Sequence, residues 1–237
     1  MNTADVNRGY LKIEGAASAF NFDFRDKTVL DIGSSTGGFT QYALDHGAAK
    51  VIAVEKGSHQ MKTPLRFDPR VELHEKTDIF DVKTKEITSE GHPQSLRGRS
   101  EEPRKDGRDE RPEDAISFVP TPDAIIADVS FVSLTHVLKH AKEHLSDENT
   151  EFLVMLKPQF EAREDQLVKG IVKNEKIRRN IIKNFEYWLK QNNFLIIKKR
   201  DNATPGRHGN IERFYWLGQA NNSWICIERA QETTHRF

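Results

Sequence analysis

The segment Thr28-Val29-Leu30-Asp31-Ile32-Gly33 constrains this chain more than any other. It is a short apolar run that stops at a glycine, as a strand buried on both faces of a parallel sheet does. It leads through Ser34-Ser35-Thr36-Gly37-Gly38 into a stretch with Phe39, Tyr42, Ala43 and Leu44 at helical spacing, which Gly47 closes as a C-terminal cap. Strand, glycine-rich turn and helix in that order begin a parallel crossover, and the pattern recurs. Residues 50–55, 71–74, 124–128 and 152–157 read as further strands, with late strands over 194–198 and 214–217. Residues 133–145 put Leu134, Val137, Leu138 and Leu145 on one helical face, and Ile177, Ile181, Phe185, Trp188 and Leu189 mark another amphipathic helix. This alternation predicts the α/β class, with a mostly parallel sheet covered by helices on both faces.

One segment breaks the alternation. Residues 83–114 hold 17 charged side chains among 32, and only two aliphatics, Ile87 and Leu96. Such a stretch buries too little apolar surface to offset the entropy of ordering, so a flexible, solvated insertion is expected over 83–118. The single cysteine, Cys226, excludes an internal disulfide and makes a reducing cytoplasm the default compartment. Apolar runs are strand-sized, short of the roughly 20 residues that a membrane-spanning helix needs. Met1-Asn2-Thr3-Ala4-Asp5 lacks the basic and apolar regions of a signal peptide. A soluble cytoplasmic protein with no membrane partner is expected.

The turn after the first strand is the sharpest chemical signal. A dinucleotide site would read G-x-G-x-x-G, whereas Gly33 to Gly38 reads G-S-S-T-G-G, an imperfect match. The other ligand suited to such a loop is an adenosyl group with an amino-acid tail. Its ammonium suits Asp31, and its carboxylate suits the N–H groups of Gly33, Ser34, Ser35, Thr36, Gly37, Gly38 and Phe39. Glu55 ends the second strand, 22 residues after Gly33. There it can take both ribose hydroxyls, with Lys56 beside it. Asp78, followed by Ile79, follows the third strand and is placed to accept from an adenine amino group. Three carboxylates at successive strand ends are the set that S-adenosylmethionine needs. No metal-ligand spacing accompanies them.

With these residues in view, the sequence resembles the TlyA-type, hemolysin A-like group of the FtsJ-like ribosomal RNA ribose 2′-O-methyltransferases. The resemblance rests on Arg8-Gly9-Tyr10-Leu11-Lys12, residues 31–40, Asp128-Val129-Ser130-Phe131-Val132-Ser133-Leu134, Lys157-Pro158-Gln159-Phe160-Glu161 and Gly209-Asn210-Ile211-Glu212. It implies a Rossmann-like, class I S-adenosylmethionine-dependent methyltransferase sheet of seven strands, one of them antiparallel near the end. It also implies a catalytic Lys-Asp-Lys-Glu set, falling on Lys12, Asp128, Lys157 and Glu212, with Asp128 also facing the methyl donor. A ribose hydroxyl is a weak nucleophile, and Lys157 is the favoured group to take its proton. A lysine amine is mostly protonated at neutral pH, so a second cation such as Lys12 would have to favour the neutral form. Asp128 and Glu212 oppose that, so position counts for more than basicity. Enzymes of this fold that methylate amino groups carry an Asn/Asp-Pro-Pro-aromatic motif, from which Asp128-Val129-Ser130-Phe131 departs. Members of the group also begin with a small basic RNA-binding domain, whereas 11 residues precede Lys12 here. The implied organisation is an N-terminal segment over 1–26 carrying Lys12, a methyltransferase domain over 27–218, and an extension over 219–237.

Lysine plus arginine and aspartate plus glutamate each number 36, so the chain is formally neutral, unlike most nucleic-acid binders. The neutrality hides polarity. From Lys157 to Arg213 there are 14 basic and 7 acidic residues, and residues 1–156 carry the compensating acid. Lys173, Lys176, Arg178, Arg179, Lys183 and Lys198-Lys199-Arg200 are either the polar faces of core-packed elements or a phosphate-binding rim. Phe131 and Phe160 are candidates to stack a splayed base. The expected function is RNA 2′-O-methylation on ribosomal RNA or ribosomal subunits. The alternatives are a non-catalytic protein of ribosome assembly that binds cofactor and RNA and, ranked last, a cytolysin.

Overall fold

The computed structural model describes residues 7–84, 117–203, 206 and 209–220. Most of the charged insertion, Cys226 and nearly all of the expected C-terminal extension lie outside the described residues. The strands, in chain order, are β1 (Thr28–Ile32), β2 (Lys50–Glu55), β3 (Val71–Glu75), β4 (Val82–Thr84), β5 (Ser117–Val119), β6 (Ala124–Ala127), β7 (Glu151–Leu156), β8 (Phe194–Asp201) and β9 (Arg213–Gln219). The α-helices are α1 (Arg8–Phe20), α2 (Gly38–Asp45), α3 (Leu134–His144), α4 (Pro158–Glu161) and α5 (Glu175–Gln191).

Among the described residues, seven strands form one sheet in the order β3-β2-β1-β6-β7-β9-β8. It is parallel except at β9, which runs antiparallel to both β7 and β8. This is the mostly parallel seven-stranded sheet that the sequence predicts. Alternation along each strand divides the core. Leu30, Ile32, Ile52, Val54, Phe152 and Val154 pack with residues of α3 and α5. Val29, Val51, Ala53, Ile126, Leu153 and Met155 pack with residues of α1 and α2. Helices therefore cover both faces, and the central strands β1, β2, β6 and β7 are nearly continuously apolar because neither face meets water.

Two elements differ from the expectations. The N-terminal segment is a helix, capped by the Asn7 side chain on the Gly9 amide, with Ile13, Ala16, Ala17 and Phe20 buried. Their spacing is helical, but two alanines and two glycines (Gly9 and Gly15) weaken the apolar signal. The insertion expected over 83–118 is ordered at both ends, where β4 and β5 pair in parallel as a separate two-stranded sheet.

Chain reversal positions the site. After β1 the chain moves outward through β2 and β3, then returns to lay β6 on the other side of β1. A crevice opens at the carboxyl ends of strands flanking such a switch. Gly33 and Asp128 meet there, and a Cβ on Gly33 would stand 3.3 Å from the Asp128 carbonyl oxygen.

Candidate active site

Asp31 is the last but one residue of β1 and is fully buried. Its Oδ2 accepts a 2.6 Å hydrogen bond from Thr40 Oγ1 on α2, while Oδ1 has no protein partner. Burial pushes this carboxyl up to about 7, with the nearby Asp128 charge adding to the effect and Thr40 opposing it. The Ser34 hydroxyl is likewise buried without a partner. The turn itself has left-handed residues at Gly33, Ser35 and Gly37. Its amides are largely engaged: Gly33 and Ser34 donate to the Val54 carbonyl, Gly37 to the Ser34 carbonyl, and Ser35 to Glu55 Oε2 at 2.9 Å. Four of the seven amides expected to face the ligand's carboxylate are thus engaged within the protein. These four residues shape the turn, and the Ser34 hydroxyl is the group left over.

The start of α1 closes one side of the turn. Asn7 Nδ2 donates to Thr36 Oγ1 at 2.8 Å, and Gly38 meets α1 so closely that a Cβ there would lie 2.7 Å from the Tyr10 nitrogen. Phe39 is buried and stacks on Phe214 of β9 at 6.0 Å between centroids, joining the turn to the far half of the sheet.

Glu55 braces the turn from β2. Besides the Ser35 amide, it accepts from the Gly57 amide at 2.7 Å and from Gln60 Nε2 at 3.1 Å. A carboxylate offers about four acceptor positions, so these contacts leave it acceptor capacity. Asp78 caps the turn Ile79–Asp81 through the Phe80 amide and pairs with Lys56 at 2.8 Å. Burial pushes the Asp78 carboxyl up, but the Lys56 ammonium and the Phe80 amide outweigh it and hold the group below its ordinary range. Ile79 is buried beside it. Lys56, Asp78 and Ile79 therefore stand together at the end of β3.

The other four residues gather across β6, β7 and β9. Lys157 is the N-cap of α4, one residue past β7. Its Nζ lies 2.5 Å from Asp128 Oδ1 and donates to Ser130 Oγ at 2.9 Å and to the Asp128 carbonyl at 3.5 Å. The β7–β9 ladder pairs Leu156 with Arg213, which brings Glu212 to the end of the ladder where Lys157 stands. Glu212 Oε2 lies 2.7 Å from Lys12 Nζ, and both side chains are buried. Helix α1 thus carries Lys12 into the interior. The set forms two ion pairs, Lys157 with Asp128 and Lys12 with Glu212.

Sequence reasoning left several participants unassigned. Ser130 holds Lys157, and Asn7 docks α1 on the turn. Asn7 was legible as a helix cap, and Ser130 lies two residues from Asp128. Phe131 is 91% exposed at a left-handed φ of 63°, tilted against Phe160 at 5.1 Å between centroids, so its ring is presented rather than packed. The candidate basic rim divides. Lys198 donates to the Phe20 carbonyl, Arg200 to the Gly15 carbonyl, and Lys199 pairs with Glu186. These three clamp α1 and α5 to β8, which favours the packed-element reading for them over the rim.

Known proteins resemble this chain in sequence and fold. The family model for FtsJ-like methyltransferases matches residues 6–219. The 16S/23S rRNA (cytidine-2′-O)-methyltransferase TlyA of Mycobacterium tuberculosis is 29% identical over 232 residues, 98% of this chain and 75% of that protein. Hemolysin A of Brachyspira hyodysenteriae is 32% identical over 213 residues, 89% of this chain and 75% of that protein. A solved structure described as a hemolysin from Streptococcus thermophilus superposes with a TM-score of 0.71 at 30% identity, covering 91% of this chain and 67% of its own. Among the described residues no helix is long and apolar enough to cross a membrane. With the match running across the turn, both ion pairs and all seven strands of the main sheet, the chain belongs to the FtsJ-like methyltransferase family.

Proposed function

We propose that this protein is an S-adenosylmethionine-dependent RNA ribose 2′-O-methyltransferase of the cytoplasm whose substrate is ribosomal RNA, free or in a ribosomal subunit. The observation that carries the reading is the meeting of two ion pairs, Lys157 with Asp128 and Lys12 with Glu212, beside a turn whose buried Asp31 Oδ1 lacks a protein partner. The donor set fits the cofactor. Asp31 Oδ1 would take the ammonium of the amino-acid tail and the Ser34 hydroxyl its carboxylate. Glu55 would take a ribose hydroxyl at its remaining acceptor position, and Lys56, Asp78 and Ile79 would form the adenine end. Residues 27–218 act as the methyltransferase domain, 1–26 as the segment that delivers Lys12, and 219–237 as an extension.

When bound, the cofactor supplies an electrophilic methyl group on a sulfonium. The chain's own residues prepare the acceptor. The Asp128 carboxylate, the Ser130 hydroxyl and the Asp128 carbonyl hold Lys157 Nζ in place. As a free amine, Lys157 would take the proton of the attacking 2′-hydroxyl while that oxygen bonds the methyl carbon, with Lys12 adding a positive charge nearby. Phe131 would stack the base of that nucleotide. Orientation of this kind supplies a large part of the rate of a two-substrate reaction.

The test is transfer of labelled methyl from S-adenosylmethionine to ribosomal subunits and to naked ribosomal RNA, followed by mapping of the modified position. Wild type should label a ribose 2′-oxygen, and Lys157→Ala should lose at least about a hundredfold in rate. Equal labelling by the two proteins would sink the assigned mechanism.

A further inference from the structure

The basic surplus between Lys157 and Arg213 does not act as one surface. Besides the β8 clamp, Arg178 pairs with Glu175 and Asp201, Arg179 with Glu175, and Arg213 with Asp201. Lys169, Lys173, Lys176 and Lys183 are exposed and have no ion-pair partner among the described residues. Of these, Lys169 is held in the most defined geometry.

Val168 and Ile171 form an antiparallel bridge with reciprocal hydrogen bonds of 2.9 and 3.1 Å, closing a two-residue turn at Lys169 and Gly170. Both turn residues are left-handed, at φ 51° and 75°, the requirement of the tightest hairpin turns. Glycine meets it at the second position, and a Cβ there would touch nothing within 4 Å, so backbone conformation is its reason. At the first position the turn favours Asn, Asp or Gly. A lysine there carries backbone strain that a solvated lysine in ordinary backbone would not incur.

The hairpin is also fastened to the site. The buried Asn210 side chain accepts from the Val172 amide at 3.3 Å and donates to the Gly170 carbonyl at 3.1 Å. Its own carbonyl accepts from the Gly206 amide at 2.8 Å, and Gly206 lies against the Glu212 carboxylate, where a Cβ would come within 2.6 Å of Oε1. One side chain thus links the lysine-bearing turn to the loop that holds Glu212.

We propose that Lys169 contacts a backbone phosphate of the RNA acceptor beside the target ribose, and that Asn210 is the positioning residue that fixes the hairpin relative to Glu212. The inference rests on the RNA reading above. An ammonium against a phosphate carries no base information. It sets the register of the strand, leaving base selection to other groups.

The experiment uses labelled ribosomal RNA with the full chain, measuring binding across a salt series without turnover, and methyl transfer separately. Lys169→Asn removes the charge while supplying a residue that the turn prefers, so it should fold at least as stably as wild type. It should weaken RNA binding about three- to tenfold, raise KM with kcat unchanged, and lower the slope of log affinity against log salt by about one ion. Lys190→Gln, at the far end of α5, should change none of these. In an Asn210→Ala background, Lys169→Asn should cost less than it does in wild type, because the turn is no longer fixed. An unchanged binding constant and salt slope for Lys169→Asn would overturn the inference whether or not the enzyme turns over. A wild type that binds RNA with the expected slope but transfers no methyl would count against the assigned reaction and leave the phosphate contact supported.

Discussion

The two halves of the site hold their charges in opposite ways. On the acceptor side each buried lysine has a carboxylate within ion-pair distance, Lys157 with Asp128 and Lys12 with Glu212. On the cofactor side, the fully buried Asp31 has a hydroxyl on one oxygen and no protein partner on the other. The acceptor side is neutralised from within and needs no ligand to be stable. The cofactor side keeps a carboxylate whose ionised form the protein alone supports poorly. A site that must orient a neutral hydroxyl gains from the first arrangement, and a site that must select a cationic tail gains from the second. The same substitution, carboxylate to neutral side chain, should therefore have opposite effects on stability in the two halves.

The largest effect should come from the acceptor side. Glu212→Leu leaves the Lys12 ammonium buried without its counter-charge, and removing one partner of a buried pair costs about 3–5 kcal/mol. Thermal denaturation should show Tm falling by roughly 10 °C. Adding Lys12→Met should recover much of that loss, because it removes the stranded charge, while methyl transfer stays lost in both proteins. A double variant as unstable as the single would show that the pair is not what holds α1 against β9.

These differences were unequally legible in the sequence. The cofactor half is contiguous: Asp31 to Phe39 sits on one strand-turn-helix unit, so its residue types and spacing could be read directly. The acceptor half comes from positions 12, 128, 157 and 212, and only sheet order and the Leu156–Arg213 register bring the last three together. Without the family resemblance no local pattern joins them. The central strands β1, β2, β6 and β7 were legible because burial on both faces makes them nearly continuously apolar. Helix α1 was not, because alanine at Ala16 and Ala17 contributes little apolar signal although both are buried. The role of Lys198 and Arg200 was invisible for another reason: their partners are backbone carbonyls of Phe20 and Gly15, and any sequence presents a carbonyl.

The second prediction reverses the sign of the first. Asp31→Asn keeps the acceptor for Thr40 but removes a carboxylate that burial disfavours, so the ligand-free protein should be more stable than wild type above pH 7. The same change should weaken S-adenosylhomocysteine about 10- to 100-fold, the worth of a hydrogen bond to a charged group. Calorimetric titration alongside a thermal scan checks both. Destabilisation together with unchanged affinity would erase the contrast between the halves.

The smallest effect is graded with pH and follows from the same group. In the folded chain the Asp31 carboxyl titrates at about 7, against an ordinary aspartate value of about 3.9 in the unfolded chain. Between those values the folded protein holds a proton that the unfolded protein has released. Asp31 therefore contributes stability to the ligand-free fold that declines as pH rises from about 4 to about 7, and there is no further change beyond either limit. Binding a cationic tail requires the ionised form, so ligand affinity should run the other way. It should be nearly constant above pH 7 and fall toward tenfold per unit below it, with about one proton released on binding in that range. Isothermal titration in two buffers of different ionisation enthalpy measures that proton directly. Asp31→Asn should bind weakly with no such proton release. A wild type whose affinity is flat from pH 5 to pH 8 would mean that the ammonium is held elsewhere.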